Sequence, residues 1–415
     1  MTELHLLTAT ETLARLSAGT LRAGDVAAAL EAAIAAREGT VRAFAWREGP
    51  PAPVKDGPLA GLHLGVKDVL DTADMPSQYG SPIWAGHRPR ADAACVALAR
   101  AAGLAVAGKT VTTEFATRHP GPTTNPWNPR HTPGGSSSGS AAGVAAGFFH
   151  YAFATQTAGS IVRPAAYCGV HGFKPSFGTL QRMGMKVMSE SLDTIGLLAR
   201  SLDDIALAMH LMTGWYGVTP SCRPDRAPRL ALVTGPDDAA MAPETVALMQ
   251  RAAEACRRAG AVVQALPLPA ECRAAFDAQP HVMNREAAES LGWEWAHARA
   301  QISPVLQENL ETALARPAED LLEGRRSFAA ARAALGAALE GFDAVLTPAA
   351  PGEAPEGLGW TGDPVFNKFW TALHWPCAAV PAGRGPRGLP LAVQVVARRD
   401  AACLTWAAWV EAALS

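Results

Sequence analysis

Three stretches of the chain combine residue types that can move protons and attack a carbon: Gly65-Val66-Lys67-Asp68, Gly134-Gly135-Ser136-Ser137-Ser138-Gly139-Ser140 and Thr155-Gln156-Thr157-Ala158-Gly159-Ser160. Taken singly, a strand-end lysine is a surface cation and a Gly/Ser run is a flexible loop. Here the second and third stretches fall inside His131 to Val162, 32 consecutive residues without Asp, Glu, Lys or Arg. Gly, Ser, Thr, His150 and Gln156 interrupt that run before about 18 apolar residues accumulate, so it reads as deep core rather than as a membrane span. A flexible linker has no reason to lie there. Buried hydroxyls donate and accept at once. A buried lysine gives up its charge more readily and becomes a base near neutral pH.

Two other motifs look like chemistry and are not. Gly103-Leu104-Ala105-Val106-Ala107-Gly108-Lys109-Thr110 satisfies the phosphate-loop pattern letter for letter, but that loop needs strand, glycine-rich turn and then helix. Here a helical stretch precedes Gly103, the middle positions read as a strand, and Val111-Thr112-Thr113 starts a helix poorly. Gly135-Ser136-Ser137-Ser138-Gly139 contains the nucleophile-elbow pattern centred on Ser137, yet it follows Asn125-Pro126-Trp127-Asn128-Pro129-Arg130-His131-Thr132-Pro133, a loop and not a buried strand. No HExxH or clustered His/Cys pattern suggests a catalytic metal.

The elements that must position these residues follow from periodicity. The 415 residues are 49% hydrophobic and 18% charged, as in a globular chain. The first forty residues read as helices. Leu62 to Lys67 reads as a strand, and Asp92 to Ala102 as a helix with Asp92 as N-cap, stopped by Gly103. Leu104 to Ala107 and Phe148 to Thr155 read as strands, with a helix of small residues from Ser138 to Gly147 between them. From Thr219 to about Phe342, Ala- and Arg-rich stretches such as Ala239 to Gly260 and Pro317 to Leu339 read as a helical insertion or lid. Ala344-Val345-Leu346 and Leu391 to Val396 could rejoin the same sheet. The fold class is therefore α/β.

With 36 Lys+Arg against 38 Asp+Glu, and no basic stripe, nucleic acid is not an expected partner. Seven scattered cysteines, none in a C-x-x-C pair, suit a reducing compartment. Met1-Thr2-Glu3-Leu4-His5 lacks the basic and then apolar order of a signal peptide, so a cytoplasmic location is expected.

On the three stretches above, the sequence resembles the amidase signature family, whose Gly/Ser-rich core carries a Ser-cisSer-Lys triad. The likeness runs from about Leu59 to Gly214, including Gly108-Lys109-Thr110, Thr124-Asn125-Pro126, Gly172-Phe173-Lys174-Pro175 and Ser191-Leu192-Asp193-Thr194. It returns at Thr361-Gly362-Asp363-Pro364, Phe366-Asn367 and Trp370. It implies one large α/β/α domain over residues 1–415 with a central mixed sheet covered by helices. The core would span about 59–214, with a return at 344–415 and a variable helical insertion at about 219–342. It also implies Lys67 as base, Ser136 as a bridging serine after a cis bond, and Ser160, 24 positions later, as nucleophile. Ser136 would pass the Ser160 proton to Lys67 and later return one to the leaving amine. Thr157, Ala158, Gly159 and Ser160 would offer backbone N–H groups to an oxyanion, Ala158 standing where the family more usually has glycine.

Arg163 stands three places after Ser160, where most of the family has its arginine two places on. That spacing, with Gln156-Thr157 before and Pro164-Ala165-Ala166-Tyr167-Cys168-Gly169 after, resembles the bacterial malonamidase subgroup, whose arginine binds the carboxylate of a small acidic amide. A planar, permanently charged fork suits a carboxylate, and the competing expectation is a structural pair with a carboxylate such as Asp193. The expected activity is hydrolysis of a small carboxamide through an acyl-enzyme on Ser160, for example malonamate. The alternatives are biuret- or allophanate-type substrates, or an amidotransferase A-like subunit releasing ammonia from glutamine. No cofactor, metal or membrane enters this chemistry, and the sequence leaves a homodimer open.

Overall fold

Strands form where the chain alternates apolar side chains between two faces or runs apolar throughout, and eleven of them join into one mixed sheet. The computed structural model describes residues 3–214, 224 and 226–415. Met1, Thr2, Thr219 and Cys222 of the sequence reading therefore lie outside the described residues. In chain order the strands are β1 (Phe44–Trp46), β2 (His63–Lys67), β3 (Ala105–Thr110), β4 (Tyr151–Gln156), β5 (His171–Lys174), β6 (Thr194–Ala199), β7 (Arg229–Leu232), β8 (Val262–Ala265), β9 (Ala344–Pro348), β10 (Cys377–Arg384) and β11 (Pro390–Val396). Their order across the sheet is β1-β3-β2-β4-β6-β5-β10-β11-β9-β7-β8. The parallel neighbours β3, β2 and β4 occupy one half, and the C-terminal strands β9, β10 and β11 rejoin the same sheet. The α/β class and the single domain with a helix-covered mixed sheet both hold.

The sheet buries a core on each face. Tyr151 and Phe153 of β4 and Val393 and Val395 of β11 point to one core, which is closed by the helices Ala94–Ala101, Leu202–Thr213, Pro243–Arg258 and Asp400–Leu414. Ala152 and Ala154 of β4 point to the other, closed by Ala23–Val41, Ser138–Ala145, Val162–Cys168, Ala270–Ser290 and Glu319–Ala338. The small side chains on this second face let Ser138–Ala145 sit almost against the sheet. A Cβ on Gly139 would lie 2.1 Å from the Ala43 carbonyl oxygen, and one on Gly143 2.2 Å from Phe149 Cζ. Of residues 131–162 only Ala145 and Ala158 are not buried, so the uncharged run is the deep core that its composition implies.

Several boundaries differ from the sequence reading. Gly103 does end its helix, in a left-handed turn at φ 101°, and the strand after it runs on through Lys109 to Thr110. The helix before it begins at Ala94 with Ala93 as N-cap. Asp92 does not cap it, because its carboxylate instead accepts the Ala73 N–H and pairs with Arg100. Phe148 and Phe149 precede β4, since the chain must first turn at Gly147. The stretch from Thr219 to Phe342 is not wholly helical: β7 and β8 lie within it and extend the sheet beside β9. Only the part from Ala270 onward is helical throughout its regular elements, and its buried residues Ala287, Leu291, Ile302, Leu306 and Leu310 form a third small core with Tyr79, Phe115 and Met188. Six cysteines are described, all free and buried. No described helix is long and apolar enough to cross a membrane.

Close packing of Ser138–Ala145 makes a measurable demand. Gly143→Ala is expected to lower the unfolding free energy by about 1–3 kcal/mol, because the added methyl overlaps Phe149 in a filled core. Gly39→Ala, in the Ala23–Val41 helix with nothing within 4 Å of the new Cβ, is expected to raise it by roughly 0.5–1 kcal/mol. Urea midpoints of the two variants measure both.

Candidate active site

Lys67 ends β2, and Thr155 and Gln156 end the adjacent parallel strand β4, so the sheet itself brings the lysine beside the third stretch. Lys67 is fully buried. Its Nζ donates to Ser136 Oγ and to Thr155 Oγ1, each at 2.7 Å, and to Thr155 O at 3.4 Å. Burial drives the lysine pKa down to about 7; Asp193 opposes this fall and Arg163 assists it. Three acceptors match the three hydrogens of an ammonium group. The neutral amine has only two, so one hydroxyl must turn and donate to its lone pair. The Thr155 carbonyl cannot do so, which leaves Ser136 and Thr155 as the groups able to hand Lys67 a proton.

Ser136 follows a cis Gly135–Ser136 peptide bond. The bond is held from both sides: Arg163 Nη2 donates to Gly135 O, and Thr113 N–H to Ser136 O at 3.2 Å. Neighbouring Ser137 is bound to the Thr155 backbone through its hydroxyl at 3.3 Å, a structural use that agrees with discounting it as an elbow nucleophile.

Ser160 opens into a cavity of about 170 Å³ that Thr157, Ala158, Arg163, Met283, Asn309 and Thr361 also line. No described residue hydrogen-bonds its hydroxyl, and none accepts the N–H groups of Thr157, Ala158, Gly159 or Ser160. Three carbonyls of this turn are engaged instead. Gln279 Nε2 donates to Thr157 O at 3.0 Å, Thr371 Oγ1 to Ala158 O at 2.8 Å, and Arg163 N–H to Gly159 O at 2.9 Å. Gln156 braces both sides of the turn: its Oε1 accepts the N–H groups of Ile161 and Val162 at 2.8 and 3.0 Å, and its Nε2 donates to Thr371. Asp193 accepts the Thr157 hydroxyl. Gly159 is required by close approach, since a Cβ there would lie 2.6 Å from Asn367 Oδ1. Ala158 is not among the residues in the left-handed region, so its methyl fits where a glycine was expected.

Arg163 is 5% exposed and its Nε has no partner. Burial lowers its pKa to about 10, against the pull of Tyr167 and Asp363. Asp193 does not pair with it. That carboxylate is spent on Thr157 Oγ1 and the N–H groups of Met188 and Ser189. Arg163 both lines the cavity and holds Gly135, a dual position that the sequence did not reveal.

Lys109, the lysine of the phosphate-loop look-alike, is buried with its Nζ 3.2 Å from Asp68 and donating to Leu70 O at 2.7 Å and to Ser77. It is fully committed and takes no part in a nucleotide site. Among the described residues no group of three or more His, Cys, Asp or Glu is placed to hold a metal ion. A larger hollow of about 420 Å³, lined by Leu339, Phe342, Trp375 and Arg398 among others, contains none of Lys67, Ser136 and Ser160.

Sequence reasoning missed Thr155 and Gln156 as supports, although both lie in the third stretch. It also missed the loop from Thr113 to His119. There Phe115 and Ala116 adopt left-handed backbone at φ 46° and 58°, conformations costing about 1–3 kcal/mol each for non-glycine residues. Glu114 N–H to His119 O at 3.0 Å, Phe115 N–H to Tyr79 O at 2.8 Å, and Ser303 donating to the Glu114 carboxylate at 3.1 Å hold the loop. Ala116, Thr117 and Arg118 thereby line the cavity. Asn284 and Asn309 also line it, from the helical segment that carried no recognisable pattern.

Comparison with known proteins places the chain among relatives. The sequence profile of the family described as Amidase matches residues 22–404. The A component of the glutamyl-tRNA(Gln) amidotransferase of Chloroflexus aurantiacus is 40% identical over 233 residues, 52% of this chain and 48% of that protein. The chain thus spans about half the length of the curated relatives it matches. A crystal structure of an amidase superposes with a TM-score of 0.87 at 26% identity, covering 99% of this chain and 100% of that one. The native peptide amidase of Stenotrophomonas maltophilia does so with 0.77 at 27% identity, covering 98% and 96%.

Protonated Lys67 cannot accept a proton, so reactivity of Ser160 is expected to rise with pH through about 7. The labelling rate of Ser160 by a serine-directed fluorophosphonate, followed from pH 5.5 to 9, measures this. Lys67→Met is expected to remove the pH step; a step that survives the substitution belongs to another group.

Proposed function

As the chain belongs to the amidase family, we propose that it hydrolyses the C–N bond of small carboxamides through an acyl-enzyme on Ser160, with short carboxylate-bearing amides such as malonamate as substrates. The observation that carries this reading is the buried Lys67, its pKa lowered to about 7 and its Nζ 2.7 Å from Ser136 Oγ, on the strand beside the one that leads to Ser160 and its cavity. In the forward step Ser160 Oγ bonds to the amide carbon while its proton passes to Ser136, whose own proton passes to neutral Lys67. The carbonyl oxygen, now negative, is met by the free N–H groups of the Thr157–Ser160 turn. The C–N bond then breaks as the proton returns through Ser136 to the nitrogen, and ammonia leaves. Water repeats the sequence on the ester and releases the carboxylate and Ser160.

Size and charge favour a short anionic substrate. A cavity of roughly 150 Å³ holds a benzene-sized molecule, and this one is about 170 Å³. Arg163 supplies a buried, permanently charged fork whose Nε and Nη1 have no partner among the described residues. Amidotransferase-type release of ammonia from glutamine is the second reading, supported by the 40% identity to a component of a glutamyl-tRNA(Gln) amidotransferase. Biuret and allophanate are alternatives of similar size.

Ammonia release by the purified chain from malonamate, malonamide, propionamide, biuret and glutamine separates these readings. Malonamate is expected to give the highest kcat/KM. Ser160→Ala and Lys67→Ala are each expected to lower it by at least about a thousandfold. Arg163→Ala is expected to lower kcat on every amide, because Gly135 loses its donor. It should also raise KM for malonamate alone by roughly 10–100-fold. Equal losses on charged and neutral amides would confine Arg163 to holding the cis-serine.

A further inference from the structure

We propose that Arg118 is a specificity-determining residue of this site, its guanidinium gripping the carboxylate of a short anionic amide at the cavity mouth while Arg163 meets the same group from within. The inference rests on the anionic-amide reading above and adds a residue to it. The charged residues lining the cavity are Arg118, Arg163 and Asp363. Cations therefore outnumber anions around a small hollow. Asp363 and Arg118 are exposed, whereas Arg163 is buried.

Arg163 alone grips a carboxylate incompletely. Its Nη2 is already spent on Gly135 O and on Thr361 Oγ1 at 3.2 Å, and it cannot swing toward a ligand without releasing the cis peptide. Its Nε and Nη1 have no partner among the described residues, but each two-pronged edge of a guanidinium includes the engaged Nη2. A carboxylate has two oxygens and about four lone pairs to satisfy, so a second donor group is needed. Arg118 can be that donor: among the described residues no carboxylate pairs with it and no acceptor takes its N–H groups.

The position of Arg118 is built rather than incidental. Phe115 and Ala116 accept left-handed backbone just before it. The loop is closed on itself by the Thr113 hydroxyl donating to Thr117 O at 2.8 Å and by Glu114 N–H donating to His119 O. It is tied to the chemistry by Thr113 N–H donating to Ser136 O. Arg118 also works against Arg163, depressing its affinity for a proton through like-charge repulsion. Asp363 lines the same cavity and favours the charged Arg163, but it forms no ion pair with either arginine, so two guanidinium groups face one carboxylate and the surplus positive charge favours an arriving anion.

The test uses the purified chain with malonamate and its neutral counterpart malonamide, in wild type, Arg118→Gln and Arg118→Lys. In Arg118→Gln the KM for malonamate is expected to rise roughly tenfold, with kcat on both amides and KM for malonamide unchanged. Arg118→Lys is expected to fall between. Because Arg118 is exposed, added salt should raise the malonamate KM of wild type more than that of Arg118→Gln. A wild type that prefers malonamate, with Arg118→Gln leaving that preference intact, overturns the role of Arg118 and spares the anionic-amide reading. Equal losses on both amides make the residue a support of the loop and overturn the proposal. A wild type with no preference for malonamate overturns both.

Discussion

Keeping one ammonium group out of water is the constraint on which the rest of this molecule depends. Lowering the Lys67 pKa from 10.5 to about 7 corresponds to about 5 kcal/mol weighed against the charged form. The surroundings have to sustain that penalty, which explains a core of small uncharged residues around two parallel strands. Gly65 lets Phe149 lie against β2, where a Cβ would stand 2.7 Å from the ring. Asp193 is near enough to favour the charged lysine, yet its carboxylate is drawn off by Thr157 and two backbone N–H groups. Burial therefore wins over attraction.

The groups around the lysine are cross-braced, so that each support serves a different part of the chemistry. Thr155 and Gln156 are consecutive, but the first meets Lys67 and the second the turn that carries Ser160. Arg163 follows the nucleophile in sequence and holds the peptide bond before Ser136. Such bracing matters because a misplacement of about 1 Å can cost a hundredfold in rate. It also means that few of these side chains can be changed for one purpose alone.

Much of this arrangement was legible in the sequence, and the reasons it was legible are physical. A 32-residue run without charge announces burial, and serines within it announce hydrogen bonding in the core. The two look-alike motifs were rejected correctly because their flanking residues could not supply the needed strand and helix order. The resemblance proposed Lys67, Ser136 and Ser160; the fold hydrogen-bonds the first two, and Ser160 follows β4, the strand that pairs with the one Lys67 ends. Asp92 misled because capping preference is local, whereas Arg100 and the Ala73 N–H compete for the same carboxylate. Strands β7 and β8 were lost because Arg229–Leu232 and Val262–Ala265 are four residues each beside long Ala-rich helices. Arg118 carried no signal at all: its place is set by left-handed backbone at Phe115 and Ala116, residues whose types do not foretell it.

The third core has a consequence for how such a protein can change over generations. Its side chains, from Ala287, Leu291, Ile302, Leu306 and Leu310 with Tyr79, Phe115 and Met188, group apart from the two cores on the faces of the sheet. Yet the same helices supply Met283, Asn284, Leu306, Asn309 and Leu310 to the cavity wall. Substitutions at Asn284, Leu306, Asn309 and Leu310 can reshape what the cavity accepts without touching Ser136 or Thr155, the hydrogen-bond partners of Lys67. Part of substrate choice thus lies in a mutational neighbourhood of its own, while Arg163 is shared with bond-breaking. Gln279 marks their border, since it lies on one of those helices and donates to the turn that carries Ser160; drift in the roof has to spare it.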